Sequence, residues 1–422
     1  TRVRLVPAPN EDILSITLGI DMGAVHDEIE GETTFTAAML TRGTERLTPD
    51  AIAEAIESRG CSLSSGATYD VTTLSAVGLG EHADTMLSLM AESLLTPRFD
   101  PAEVDRMRER RIADMLMHAD DPEWLAIWAS MHAAYHGHPY GRLRDGSAET
   151  LQQVGPDVMR RVHARMLRYP RAIIVAGPFE PTSMLARLEE LLGPLPAADI
   201  DPNIAEGTMW TGTAVVAPKD DAVQSVLRIV LPNVPYQHPD RPALSLVTQA
   251  VGGYTLARLF MILREQKGYT YGAYAFPDVR RYGRTTLIGT SVGNEYSRDT
   301  MRTIYEELRR LTAEMLTADE LRNARQYMLG SFARNNETPQ QAAGLAWTIL
   351  QFDLPDDYYT TYVERLQQVT LEECMDVQRR YFDPSMWSMG ICGNARVVHD
   401  ALEGLVERIV HMDPATRSLV DA

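Results

Sequence analysis

Along Ile13–Asp21, ILSITLGID, and again along Gln224–Pro232, QSVLRIVLP, apolar and polar residues alternate with the period of two expected of a half-buried strand. Elsewhere the period is helical. LTPDAIAEAIESRG, Leu47–Gly60, places Thr48 as N-cap, Pro49 at the first helical position and Gly60 as C-cap. GETTFTAAMLTRGT, Gly31–Thr44, runs apolar, small and helix-compatible into Arg42-Gly43-Thr44, and nothing in its middle can bind, attack or protonate. Strands followed by helical stretches predict an α+β fold, a largely antiparallel sheet with helices packed on one face.

The plan occurs twice. DPAEVDRMRERRIADMLMHADDPEW, from Asp100, resembles TADELRNARQYMLGSFARNNETPQQ, from Thr317. Each opens with an N-cap residue and a glutamate three places on, Asp100/Glu103 and Thr317/Glu320, a capping-box signature. Downstream, RYPRAIIVAGPF (Arg168–Phe179) echoes YFDPSMWSMGICGNA (Tyr381–Ala395), each a proline-broken turn feeding a short buried strand that ends in glycine. The two correspondences sit at offsets of 217 and 216 residues, the mark of one duplication. The boundary lies in LGPLPAADIDPNIAEGTMW, Leu192–Trp210, which is rich in Pro, Ala and Asp and has no periodicity. The expected division is therefore two homologous domains, 1–194 and 209–422, joined by a linker over 195–208.

A chain of 422 residues is long enough for two cores, and 45% apolar with 23% charged residues is ordinary globular composition. The net charge of −18 argues against nucleic acid, because phosphate contacts need a basic surface. It suits cationic substrates or a basic partner, and serves solubility equally well. Cys61, Cys374 and Cys392 are far apart and odd in number, so they read as buried thiols rather than a disulfide framework or a zinc ribbon. No apolar run approaches the ~18 residues of a membrane span, and residues 1–20 lack a signal peptide's apolar core. The chain opens on Thr1 rather than methionine, as removal of a leader would leave it, so a soluble protein of the bacterial periplasm or cytoplasm is expected with the compartment open.

These segments resemble the pitrilysin/insulinase family of zinc peptidases, in its small two-domain bacterial branch, over essentially the whole chain. Family members read G-x-R-x-E before a helix carrying G-x-x-HFLEH-MLFKGT; this chain reads GAVHDE, Gly23–Glu28, and then the Gly31–Thr44 helix. In an H-x-x-E-H box the two histidines share one helix face and meet a zinc, while the intervening glutamate activates its water. Here those three positions hold Thr34, Ala37 and Ala38. The third family ligand, a glutamate about 76 residues past the second histidine, falls on Asp114. The family's substrate-strand pattern G-x-x-x-N-A-x-x-T becomes GCSLSSGAT, Gly60–Thr68, with Ser64 and Ser65 replacing Asn and Ala. The resemblance thus implies a degenerate zinc site and no metal or other cofactor held by this chain.

The second half keeps more of the family pattern. AVGGYTLARLFMILREQKGYTYGAYA, Ala250–Ala275, matches GG-x-x-SRL-F-x-x-LRE-x-x-GL-x-Y without a gap, with Arg264 and Tyr271 in the places of the family's arginine and tyrosine. In catalytic members that pair enters the active site from a domain other than the zinc domain, donating to substrate and to the developing oxyanion. The competing reading of Arg264 as a surface ion-pair partner and Tyr271 as a strand aromatic weighs less inside such a match. For His132, His136 and His138 the weighting reverses: the i,i+4 spacing is metal-like, but HPYG resembles the family's structural turn. His26, Asp27 and Glu28 read as a loop closure.

In the two-domain branch two chains close on each other, the zinc domain of one facing the second domain of the other. The resemblance then implies a subunit of a heterodimeric zinc peptidase, inactive alone. A homologous partner carrying H-x-x-E-H would bring the zinc, and this chain Arg264, Tyr271 and half of a peptide-degrading chamber. Two other readings stay open. One is an inert structural or assembly subunit, like the respiratory-complex core proteins that share the fold; the other is an autonomous hydrolase with a metal relocated to His132, His136 and Asp114.

Overall fold

Five strands of the first half form one sheet. β1 (Arg2–Pro7), β2 (Ile13–Ile20), β3 (Ser62–Ala67), β4 (Thr72–Leu79) and β5 (Arg171–Gly177) lie in the order β1-β5-β2-β4-β3. Only β1 and β5 are parallel. Seven strands of the second half form the other sheet: β6 (Thr213–Pro218), β7 (Gln224–Pro232), β8 (Ala273–Val279), β9 (Arg284–Gly293), β10 (Ser388–Gly393), β11 (Arg408–Met412) and β12 (Leu419–Val420). Their order is β12-β11-β6-β10-β7-β9-β8, with β6 parallel to both β10 and β11. The computed structural model describes residues 1–420, and its class is α+β, two mixed sheets dressed with helices.

Each sheet lays one face on a large helical core. In the first, Leu14, Ile16, Leu18 and Ile20 of β2 meet Phe35 and Met39 of α1 (Glu32–Met39), Ile56 of α2 (Pro49–Glu57) and Met86, Met90 and Leu94 of α3 (Ala83–Leu95). In the second, Leu227, Ile229 and Leu231 of β7 meet Leu244, Val247 and Val251 of the helix Arg241–Gly252 and Met301, Ile304 and Leu308 of the helix Ser297–Ala313.

The strands are nevertheless not half-buried. β2 is buried at six of its eight positions and β7 at seven of nine, because a helix covers the second face of each sheet as well. On the first sheet that helix is Pro339–Gln351, whose Ala343, Ala346 and Leu350 pack on Ala172, Ile174 and Ala176 of β5. On the second it is α5 (Pro122–Ala134), reached through α4 (Pro101–His118), whose Leu125, Ala126 and Ala129 pack on Val215, Ala217 and Val226. Each covering helix comes from the other half of the chain. One compact unit holds Thr1–Met115, Leu143–Ile204 and Ala333–Leu354; the other holds Leu116–Arg142, Ala205–Phe332 and Pro355–Ala422. The two halves expected along the chain and the compact units in space are therefore different divisions.

Small residues make these close approaches possible. A Cβ on Gly19 of β2 would fall 1.7 Å from the Trp347 ring, and one on Gly390 of β10 would fall 2.0 Å from the backbone nitrogen of Ser130. Local signals hold at most helix starts, while Gly60 lies two residues past Ser58, the C-cap at which α2 ends. Thr48 accepts from the Ala51 amide, and Thr317 and Glu320 bond reciprocally as a capping box. Asp100 caps α4 through the Ala102 amide, but Glu103 turns to Arg106 instead of closing the box.

Candidate functional site

Helix α1 is short and almost wholly buried, and its start is built from carboxylates. Gly31 sits at φ +88, where a side chain would meet the Asp145 carbonyl, so only glycine turns the chain cleanly into the helix. Asp27 accepts from the Gly31 and Thr33 amides at 2.9 and 3.2 Å, capping the exposed donors of the first turn. Glu32 accepts from the Glu28 amide and from Arg165, which also pairs with Glu28. Burial above all, with the neighbouring Glu32 charge, raises Asp27 to about 7. His26 closes the same loop, one ring nitrogen against the Pro202 carbonyl at 3.2 Å, and burial holds it below the usual histidine range.

The positions of the expected zinc ligands follow one turn further. Thr34 is buried, its hydroxyl 3.2 Å from the carbonyls of both Gly31 and Arg144. Ala37 is fully buried and Ala38 half-buried. From α4, Arg111 reaches across: Nη1 donates to the Thr34 hydroxyl at 3.3 Å, Nη2 to its carbonyl at 3.2 Å, and the guanidinium lies 5.3 Å over the Phe35 ring. Burial pulls Arg111 below the ordinary guanidinium range, opposed by the Asp145 and Asp114 carboxylates. Asp114 itself is exposed. These residues do not fit a zinc ion: one hydroxyl already engaged, two methyl groups, one solvated carboxylate and a resident cation.

In the other unit, Arg264 lies in a π-helical turn, Met261–Gln266, in which the Lys267 amide reaches back to the Ile262 carbonyl. Such wide turns are rare and cluster at functional sites. The Arg264 side chain is 46% exposed, stacked 4.8 Å from the Phe260 ring with Glu265 at 3.6 Å. Tyr271, after a turn at Gly268 with φ +70, is 94% exposed. An aromatic with that exposure contributes nothing to a core.

The histidine cluster is occupied structurally. His132 places Nε2 2.9 Å from the Arg417 carbonyl, His136 stacks on Trp210 with ring centroids 3.9 Å apart, and His138 bridges the Ala205 carbonyl and the Tyr140 amide. Among the described residues no group of three or more His, Cys, Asp or Glu side chains is placed to hold a metal ion. No described helix is long and apolar enough to cross a membrane. Arg111 is a site residue that the sequence pattern did not single out. Its only trace is its place in RERRIAD, one turn before Asp114 on the same helix.

Comparison with known proteins gives the family context. A family model described as insulinase, peptidase family M16, matches residues 2–144, and one described as peptidase M16 inactive domain matches 154–328. An uncharacterized zinc protease, YmxG, of Bacillus subtilis is 25% identical over 80% of this chain and 83% of that protein. A non-peptidase homolog of the same name from Helicobacter pylori is 20% identical over 85% and 84%. Among solved structures, a peptidase M16 inactive domain from Pseudomonas fluorescens superposes with a TM-score of 0.87 at 21% identity, covering 93% of this chain and 96% of that one. A protease from Helicobacter pylori superposes at 0.83 and 15%, covering 92% and 96%.

Proposed function

Because the chain belongs to the insulinase family, peptidase family M16, yet has Thr34, Ala37 and Ala38 where that family's zinc box lies, we propose that it is the zinc-free subunit of a heterodimeric peptidase. A homologous partner with an intact H-x-x-E-H supplies the metal; this chain supplies Arg264, Tyr271 and part of the chamber wall. The observation that carries the reading is the presentation of Tyr271, 94% exposed beside a π-helical turn bearing Arg264. A tyrosine hydroxyl offers one donor to an oxyanion, and a guanidinium offers a fork of donors to a peptide backbone. β3, carrying Ser64 and Ser65, is the edge strand of its sheet and gives an extended peptide a ladder to join.

The test is mixing. Size exclusion and peptide hydrolysis on this chain, on an M16 chain with intact H-x-x-E-H from the same organism, and on both together should give a stable complex. Activity should belong to the mixture alone, across an interface above ~2,000 Å² as obligate pairs require. Full activity from the partner alone, unchanged on mixing, removes the proposal. A second reading, an inert assembly subunit, draws on Arg111 filling the former ligand position and on the non-peptidase name of one relative. A stable complex whose turnover ignores changes at Tyr271 selects it.

A further inference from the structure

Beside Tyr271 the second unit has a pocket of about 200 Å³, the size of one large side chain. Its floor is Arg228 of β7, whose side chain is only 7% exposed. That guanidinium pairs with Glu123 and lies 5.2 Å over the Tyr274 ring. Gly289 on β9 makes room for the stack: a Cβ there would come within 2.4 Å of both Arg228 and Tyr274. Glu123 arrives on α5, the helix that the first half of the chain lends to this sheet, and its side chain remains 48% exposed.

We infer that this pocket receives a basic side chain, arginine or lysine, of the bound peptide, with Glu123 as its acceptor. This rests on the reading of Tyr271 as a substrate-facing residue. Of the two paired charges the carboxylate is the one a ligand can reach, since the Glu123 side chain is 48% exposed and that of Arg228 7%. A carboxylate bonded to one N–H keeps further lone pairs for a second donor. The hydroxyls of Thr270, Thr290 and Ser291 are engaged within the protein, Thr270 accepting from the Gly272 amide and Ser291 donating to Gln224 Oε1, each at 3.1 Å, which leaves Glu123 as the anionic group of the lining. A recess of this size with one half-exposed carboxylate fits a long cationic side chain, and the chain's net charge of −18 draws such peptides toward it.

The probe is a fluorescein-labelled peptide with a single central arginine, compared with the same peptide carrying citrulline, which keeps the shape and loses the charge. Fluorescence anisotropy with the full-length chain should show the arginine peptide binding about tenfold more tightly (~1.4 kcal/mol). Glu123→Gln should bring the two together. Gln224→Arg, on an exposed strand end where folding is not at stake, should do the same by placing a competing cation at the mouth. Equal binding of both peptides by the wild-type chain, saturable binding of neither, or a preference that survives Gln224→Arg overturns the inference. If the arginine preference holds while the mixture with the zinc-bearing partner hydrolyses nothing, the peptidase reading fails and the pocket stands. Hydrolysis without the preference has the opposite meaning.

Discussion

Arg111 donates to both the hydroxyl and the carbonyl of Thr34, at 3.3 and 3.2 Å, so a fixed cation of the protein stands at the helix position that the family resemblance assigns to the first histidine of the zinc box. The charge is supplied by α4, and the Asp145 and Asp114 carboxylates favour it against burial. Here a guanidinium ties α1 to α4.

Two outcomes are expected. Arg111→Met keeps the packing length but removes the two charge-assisted hydrogen bonds to Thr34, which should cost about 1–3 kcal/mol in denaturant unfolding. Rebuilding the family's box with Thr34→His, Ala37→Glu and Ala38→His together should yield no stoichiometric zinc by elemental analysis while Arg111 remains, since the cation repels the ion and occupies its approach. Tight zinc in that triple variant, or in the wild-type chain, counts against the assignment.

The pair Arg264 and Tyr271 makes a kinetic prediction. In the assembled complex, Tyr271→Phe removes a hydroxyl and almost no volume, so turnover should fall roughly 10²–10³-fold with KM little changed. Arg264→Ala should worsen both parameters, and Arg264→Lys should rescue only in part because an ammonium lacks the planar fork. Complex formation by size exclusion should be unaffected in all three. Wild-type turnover in Tyr271→Phe leaves this chain as wall alone.

Asp27 predicts a pH dependence of stability. Its carboxyl is raised from 3.8 to about 7 by burial, so the folded state holds a proton that the unfolded state releases earlier. The associated stability is complete below about pH 4 and is lost as pH climbs through about 7, because the folded chain binds the extra proton across that window. Thermal melts of wild type and Asp27→Asn should therefore diverge with rising pH, the variant gaining on the wild type between about pH 4 and about pH 7. Parallel melting curves across the window would show that Asp27 does not titrate there.

The helix contributed by the second half should be coupled to the first sheet through Gly19. With a Cβ at 1.7 Å from the Trp347 ring, Gly19→Ala overpacks that seam and should cost roughly 1–3 kcal/mol. Trp347→Leu should also destabilise, and the double variant should recover part of the sum, a coupling measurable by a double-mutant cycle. Strict additivity would mean the seam yields without strain.

Much of this was legible in the chain itself. The period of two found β2 and β7, and the caps at Thr48 and Thr317 found helix starts, because each depends on neighbours within a few residues. The loss of the zinc box was equally plain, since Thr34, Ala37 and Ala38 carry no suitable ligand whatever surrounds them. Arg264 and Tyr271 could be named only through family resemblance, and their exposure had to come from the fold. Tertiary structure alone decided the rest. Alternation predicts one covered face, and nothing local in β2 tells that Pro339–Gln351 will cover the other; that follows from which distant surface is left unburied once each half has formed its sheet. Nor does RERRIAD reveal that Arg111 points at Thr34, 77 residues away, or that Glu123 and Arg228, 105 apart, meet beside Tyr271. Contacts of that range are fixed by packing, where shape and desolvation select a partner that sequence proximity cannot supply.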